Sequence, residues 1–248
     1  MEGTSAYSST TSRGDLTGQI LVVIGGSCGI GLEIARHART RGATMILVAR
    51  DPDPLYRAGL ELQAKISAFD ATDFDRLGHF FDALPEPVDH LVVTGRAPRF
   101  APLGEFDSET AHSDLDAHLL LPLFIARRAV RALRPGGSLL LIGGPGGSGG
   151  AFAAALAAAL PALAGNLALE LAPLRVNVIT TSSAGVPSPV GSPGRADDYE
   201  HSPLSAPGAV RPADVAALAA HLMLDTAITG ATVDVAGGRH PRTPDTGR

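Results

Sequence analysis

The chain has little of what several functional classes require. Its 248 residues include no tryptophan and one cysteine, Cys28. A single cysteine excludes an internal disulfide framework and a multi-thiolate metal site. Twenty Lys and Arg against 25 Asp and Glu leave a formal net charge of −5, without the basic footprint of a nucleic-acid binder. Only one cation is a lysine, Lys65, and the tyrosines are Tyr7, Tyr56 and Tyr199. No apolar run reads as long enough to span a bilayer, and the N-terminus has no apolar h-region. These absences predict a cytoplasmic protein with neither membrane nor nucleic acid as a partner, and no metal.

Glycine and aliphatic residues are plentiful. Twenty-nine glycines and 45% hydrophobic residues suit one glycine-turned α/β core. The organising stretch is Ile20-Leu21-Val22-Val23-Ile24-Gly25-Gly26-Ser27-Cys28-Gly29-Ile30-Gly31. An apolar run enters a glycine cluster, and a helical pattern leaves it with Ile30, Ile34 and Ala38 on one face. Strand, glycine turn and helix form the setting in which backbone N–H groups and a helix N-terminus cradle a pyrophosphate. Gly25 suits the tight turn, Gly29 a close approach to phosphates, and Gly31 close packing of helix on strand. Cys28 reads as a small packed residue rather than a reactive thiol.

Beyond this turn, β and α patterns alternate. Strands are expected at Met45–Ala49, Lys65–Phe69, His90–Thr94, Ser138–Ile142 and Arg175–Ile179. Helices are expected at Phe74–Leu84, Glu109–Leu133 with a kink at Pro122, Phe152–Leu171, and from Arg211 onward. Met1–Leu16 is Ser/Thr/Gly-rich and reads as a disordered leader. Residues 17–238 read as one domain, with a mobile Pro/Gly/Ser-rich loop at 187–207 and a loose tail at 239–248. The predicted fold is a Rossmann-type doubly wound domain, with a parallel sheet of about seven strands and helices on both faces.

Strand two delivers Arg50. An acidic residue at such a strand end would accept a hydrogen bond from a ribose 2′-OH, whereas Arg meets a 2′-phosphate. Arg50 therefore favours NADP(H) over NAD(H), although Asp51 follows it and a solvated surface Arg is the plain alternative.

The spacing Gly25-x-x-x-Gly29-x-Gly31, the run Asp70-Ala71-Thr72-Asp73, the block Leu169-Glu170-Leu171-Ala172-Pro173 and the closing strand Ile228-Thr229-Gly230 occur in order. Together they resemble the short-chain dehydrogenase/reductase family, from about Gln19 to Gly238. Ile24 stands where the family usually begins its motif with Thr. The resemblance implies an adenine contact at Asp70 and Ala71, with helix capping by Asp70 or Thr72 as the alternative. It implies a nicotinamide-side turn at Thr94-Gly95, and a substrate pocket at Arg96, Gly144, Phe152, Thr181 and Ser182, with Arg99, Ser148 and Ser183 nearby. It also implies pairing through the long helices into a homodimer or homotetramer.

The family's chemistry uses Ser, Tyr and Lys, helped by Asn: Tyr moves the carbonyl proton and Lys lowers its pKa. Counting back from Leu169–Pro173 puts the Tyr at Ala153 and the Lys at Ala157. The Ser falls at Gly143 or Gly144, and the Asn at His118. His118 is then either a general acid or a packed helix histidine. Three functions follow from the resemblance and this departure. One is a non-standard NADP(H)-dependent oxidoreductase acting on an activated small molecule. Another is a cyclase, isomerase or dehydratase. The third is a catalytically silent partner subunit. A Ser-His-Asp hydrolase has no visible nucleophile elbow.

Overall fold

Valine, isoleucine and leucine fill the segments Ile20–Ile24, Leu91–Val93 and Leu139–Ile142, as they must where both sheet faces are covered. The computed structural model describes residues 15–84, 87–95, 102–143, 150–181 and 210–235. Its strands are β1 (Ile20–Ile24), β2 (Thr44–Ala49), β3 (Lys65–Ala68), β4 (Val88–Val93), β5 (Leu133–Gly143), β6 (Arg175–Thr181) and β7 (Thr232–Val235). All pair in parallel, in the order β3-β2-β1-β4-β5-β6-β7. The helices are α1 (Gly29–Thr40), α2 (Pro52–Leu62), α3 (Phe74–Asp82), α4 (Ser108–Leu115), α5 (Leu121–Ala132), α6 (Ala151–Glu170) and α7 (Pro212–Leu224).

The strand period of two divides the core into two layers. Val22, Ile24, Leu91, Val93, Leu139 and Leu141 face the layer shared with α3, α5 and α6. Leu21, Val23, Val92 and Leu140 face the layer shared with α1, α2 and α7. Strand order reverses between β1 and β4. The crevice beyond their C-terminal ends is where ligands of such sheets bind.

Several sequence expectations need correction. Leu16 was assigned to the leader but is fully buried, and its N–H donates to the Arg41 carbonyl. Residues 1–14, the 187–207 loop and the 239–248 tail lie outside the described residues. α2 was not anticipated, because Pro52 and Pro54 resemble turn signals. In fact Pro52 and Pro54 sit in the first turn of α2, where a missing N–H costs nothing, and Asp51 caps that turn by accepting from the Asp53 N–H at 3.1 Å. The expected long helix from Glu109 is two helices joined by a π-helical turn, Asp116–Leu120. Pro122 has no N–H to offer the His118 carbonyl, and the chain widens there: Leu121 N–H donates to Asp116. β5 begins five residues earlier than expected, at Leu133 rather than Ser138. Pro161 leaves α6 unbroken.

The absence of a bilayer-length apolar run also fails as an expectation. α6 is long and apolar enough to cross a membrane by length and composition. Here it lies on the sheet, burying Ala153, Leu156, Leu160, Ala164, Leu167 and Ala168.

The end of the sheet away from the crevice holds a buried polar cluster. His90 Nδ1 lies 2.8 Å from Ser138 Oγ, and its Nε2 lies 2.6 Å from Gln19 Oε1. Burial, assisted by the Arg175 charge, lowers the His90 pKa to about 4. Arg175 itself donates to the carbonyls of Leu222, Met223 and Asp225, closing the C-terminus of α7.

Candidate active site

The turn after β1 is held from two sides. The N–H groups of Gly25 and Gly26 donate to the Val48 carbonyl of β2. Thr94, just past β4, donates its N–H to the Ile24 carbonyl at 2.8 Å and its hydroxyl to the Gly25 carbonyl at 3.2 Å. Gly25 has φ +87°, and a Cβ there would strike Thr94. A Cβ at Gly31 would run into the Gly25 carbonyl oxygen and Thr94 Oγ1. The glycines thus let turn, helix and β4 meet at one point.

Gly29 is different. It has φ +55°, and a Cβ there would meet nothing within 4 Å. Its glycine character serves the left-handed backbone and leaves open space at the N-terminus of α1. Cys28 precedes that helix in extended conformation, makes no capping hydrogen bond, and is followed by no acidic residue in the first turn. The first N–H groups and the positive helix end therefore face outward without a side-chain competitor. These features fit a dinucleotide pyrophosphate, with Ser27, Cys28, Gly29, Ile30 and Gly31 around it. Cys28 is exposed rather than packed as the sequence suggested.

Arg50 and Asp70, at the ends of neighbouring strands, face one another, with Nη1 and Oδ2 4.0 Å apart. Both are largely exposed, so the pair is screened and weak. Asp51 is occupied in capping α2. Asp70 Oδ1 accepts from the N–H and hydroxyl of Thr72 at 2.9 and 2.7 Å, enclosing Ala71 in the turn. The N-cap of α3 is Asp73, accepting from the Arg76 N–H. Neither capping residue suggested by the sequence has that position.

Across the crevice, Ala153 is buried and Ala157 half-buried on α6. Gly143 ends β5, and a Cβ there would come within 2.9 Å of Leu160 Cδ2, a flexible side-chain end. His118 is half-buried at the middle of the π-helical turn, and that turn packs against α6. Such turns recur at functional sites. Thr181 closes β6, half-buried, and Gly95 follows Thr94. Arg96, Gly144 and Ser182, along with Arg99, Ser148 and Ser183, lie outside the described residues.

One residue of this wall escaped the sequence reading. Phe106, just before the Asp107 cap of α4, meets Phe152 of α6 edge to face, with ring centroids 5.7 Å apart at 77°. Its only sequence signal is an aromatic residue at the start of a helix.

Sheet order, glycine turn and open α1 N-terminus define a Rossmann-type doubly wound α/β domain. A family model described as enoyl-(acyl carrier protein) reductase matches residues 24–240, and the chain belongs to the short-chain dehydrogenase/reductase family. It is 30% identical to the short-chain dehydrogenase/reductase ATR9 of Stachybotrys chlorohalonatus, across 90% of this chain and 97% of that protein. Among solved structures it is similar to a short-chain type dehydrogenase/reductase from Mycobacterium ulcerans. The TM-score is 0.76, with 24% identity and 90% of each chain covered. It is also similar to the MalC reductase/Diels–Alderase of Malbranchea aurantiaca, with a TM-score of 0.73 and 22% identity over 90% of this chain and 95% of that one. At these identities the two structures share the fold.

Proposed function

We propose that this chain is an atypical short-chain dehydrogenase/reductase that binds NADP(H) and acts on an activated small molecule, an intermediate of natural-product biosynthesis. The observation that carries the reading is the pairing of an open glycine cradle with methyl groups at 153 and 157, where the family's Tyr and Lys would stand. Arg50 is the cation for a 2′-phosphate, since Asp51 is engaged in capping. Asp70 and Ala71 border the adenine, and Thr94 and Gly95 the nicotinamide side.

NADP(H), when bound, supplies or accepts a hydride. The chain's own part is orientation and exclusion of water. An iminium, a polarised enone or a quinone needs no strong protein acid. A crevice bordered by Phe152, Ala153, Ala157 and Thr181 suits such an acceptor; Arg96, Gly144 and Ser182, which the family resemblance adds, lie outside the described residues. His118, on the π-helical turn that packs against α6, serves as proton donor where one is required. Leu123, Phe124 and Val130 on α5 and Leu169 on α6 are exposed apolar residues. They support a homodimer or homotetramer formed through these helices. The apolar lining of α6 favours one alternative, a non-redox cyclase, isomerase or dehydratase on the same fold.

Cys28 tests the nucleotide reading without any turnover, because it is the chain's one cysteine and stands exposed in the turn. NADPH is expected to slow its alkylation by a maleimide, and at lower concentration than NADH. Alkylation unaffected by either nucleotide refutes binding and leaves the non-redox enzyme and the silent partner subunit. Protection without NADPH oxidation in the presence of substrate selects the non-redox alternative.

A further inference from the structure

We infer that Phe106 and Phe152 form a recognition wall for a flat aromatic or polyene ring of the substrate, an inference that rests on the crevice proposed above as the substrate site. Phe152 opens α6 beside buried Ala153, and Phe106 precedes α4. Both segments follow the C-terminal ends of β4 and β5, the same end of the sheet as Gly25 and Thr94. The rings hold each other edge to face, 5.7 Å apart, the arrangement that aromatic quadrupoles favour. Phe106 nonetheless remains 50% exposed and neighbouring Leu103 80% exposed. A ring fixed in place with half its surface uncovered is preorganised to be covered by a ligand. Leu103, Phe106, Phe152, Ala153, Leu156 and Ala157 carry no charge between them. A planar ring laid on them gains both burial and edge-to-face contact.

The test uses calorimetric titration of the full chain with two probes of the same skeleton, 2-naphthol and its saturated analogue decahydro-2-naphthol. Phe106→Leu and Phe152→Leu retain apolar area and remove the ring. The wild-type protein is expected to bind 2-naphthol more tightly than the saturated alcohol. Each Leu variant should weaken 2-naphthol about 2–10-fold and leave the saturated alcohol unchanged. NADPH protection of Cys28 should be unchanged in Phe106→Leu, whose site is half exposed, which also reports that the variant is folded. Equal binding of the two alcohols by the wild type, or unchanged 2-naphthol binding in both variants, overturns the inference. If those ring effects appear but NADPH fails to protect Cys28, the nucleotide reading falls and the aromatic wall stands. If NADPH protects and the ring effects are missing, the reverse holds.

Discussion

The two walls of the crevice are built from different materials. On the proposed nucleotide side the backbone would do the binding, and polar side chains hold that backbone in shape. Thr94 ties the glycine turn to β4, Asp51 caps α2, and Asp70 closes the turn onto Thr72. On the α6 side Ala153 and Ala157 carry only methyl groups, and the helix keeps its place through aliphatic packing and the Phe152–Phe106 contact. A site made of backbone needs glycines and a few hydrogen-bonded turns, and it persists as long as the fold does. A site made of side-chain acids and bases can be lost by substitution while the helix that carried it goes on packing unchanged.

The largest effect that could break this contrast concerns chemistry. Turnover of an unactivated ketone with NADPH is expected at background, because positioned acid–base groups contribute about 10²–10⁴-fold. Loss of NADPH absorbance measures it, and rapid reduction would show that the α6 wall is functional after all.

A second measurement separates the crevice from the rest of the sheet. The buried His90 ring has a folded pKa of about 4, below its ordinary 6.5. Its contribution to stability is therefore complete above pH 6.5 and is lost as pH falls from there toward 4. The shift corresponds to about 3 kcal/mol. Urea unfolding at pH 7 and pH 4.5 should reveal most of it, and His90→Gln should flatten the difference. A pH dependence that survives this substitution would place the titrating group elsewhere.

Gly31→Ala probes the backbone-built wall. Its Cβ meets a carbonyl oxygen that cannot swing away. The expected loss is about 1–3 kcal/mol in urea unfolding, together with weaker NADPH protection of Cys28. Unchanged stability and binding would show that the turn tolerates the methyl. The smallest effect belongs to Arg50→Ala. Arg50 is 66% exposed, so an ion pair there contributes about 1 kcal/mol or less, up to about 5-fold in NADPH affinity. NADH affinity should not move. Equal loss for both nucleotides would deny Arg50 its role in the preference.

Sequence reading served the first wall better than the second. β1, the glycine turn and the start of α1 were legible because an apolar strand and a glycine cluster have local causes. So were the strand ends that bring Arg50 and Asp70 together. The kink at Pro122 was legible from the proline alone; its form, a π-helical turn at Asp116–Leu120, was not. Pro52 and Pro54 hid α2, since proline marks a turn and a helix's first turn equally well. The approach of Phe106 to Phe152, 46 residues apart, is a tertiary fact without local trace. The exposure of Cys28 likewise depends on what surrounds the turn.

The π-helical turn carries one further consequence. Closing a bond at five residues instead of four stores about one residue more than an α turn needs. The chain there holds slack, and the slack is removable. Deleting Ala117 removes that extra residue and is expected to return the turn toward α spacing, with the missing N–H of Pro122 still in place. His118 would then be drawn back into an ordinary turn and away from α6. One residue of chain length at this turn thus sets where His118 stands relative to α6.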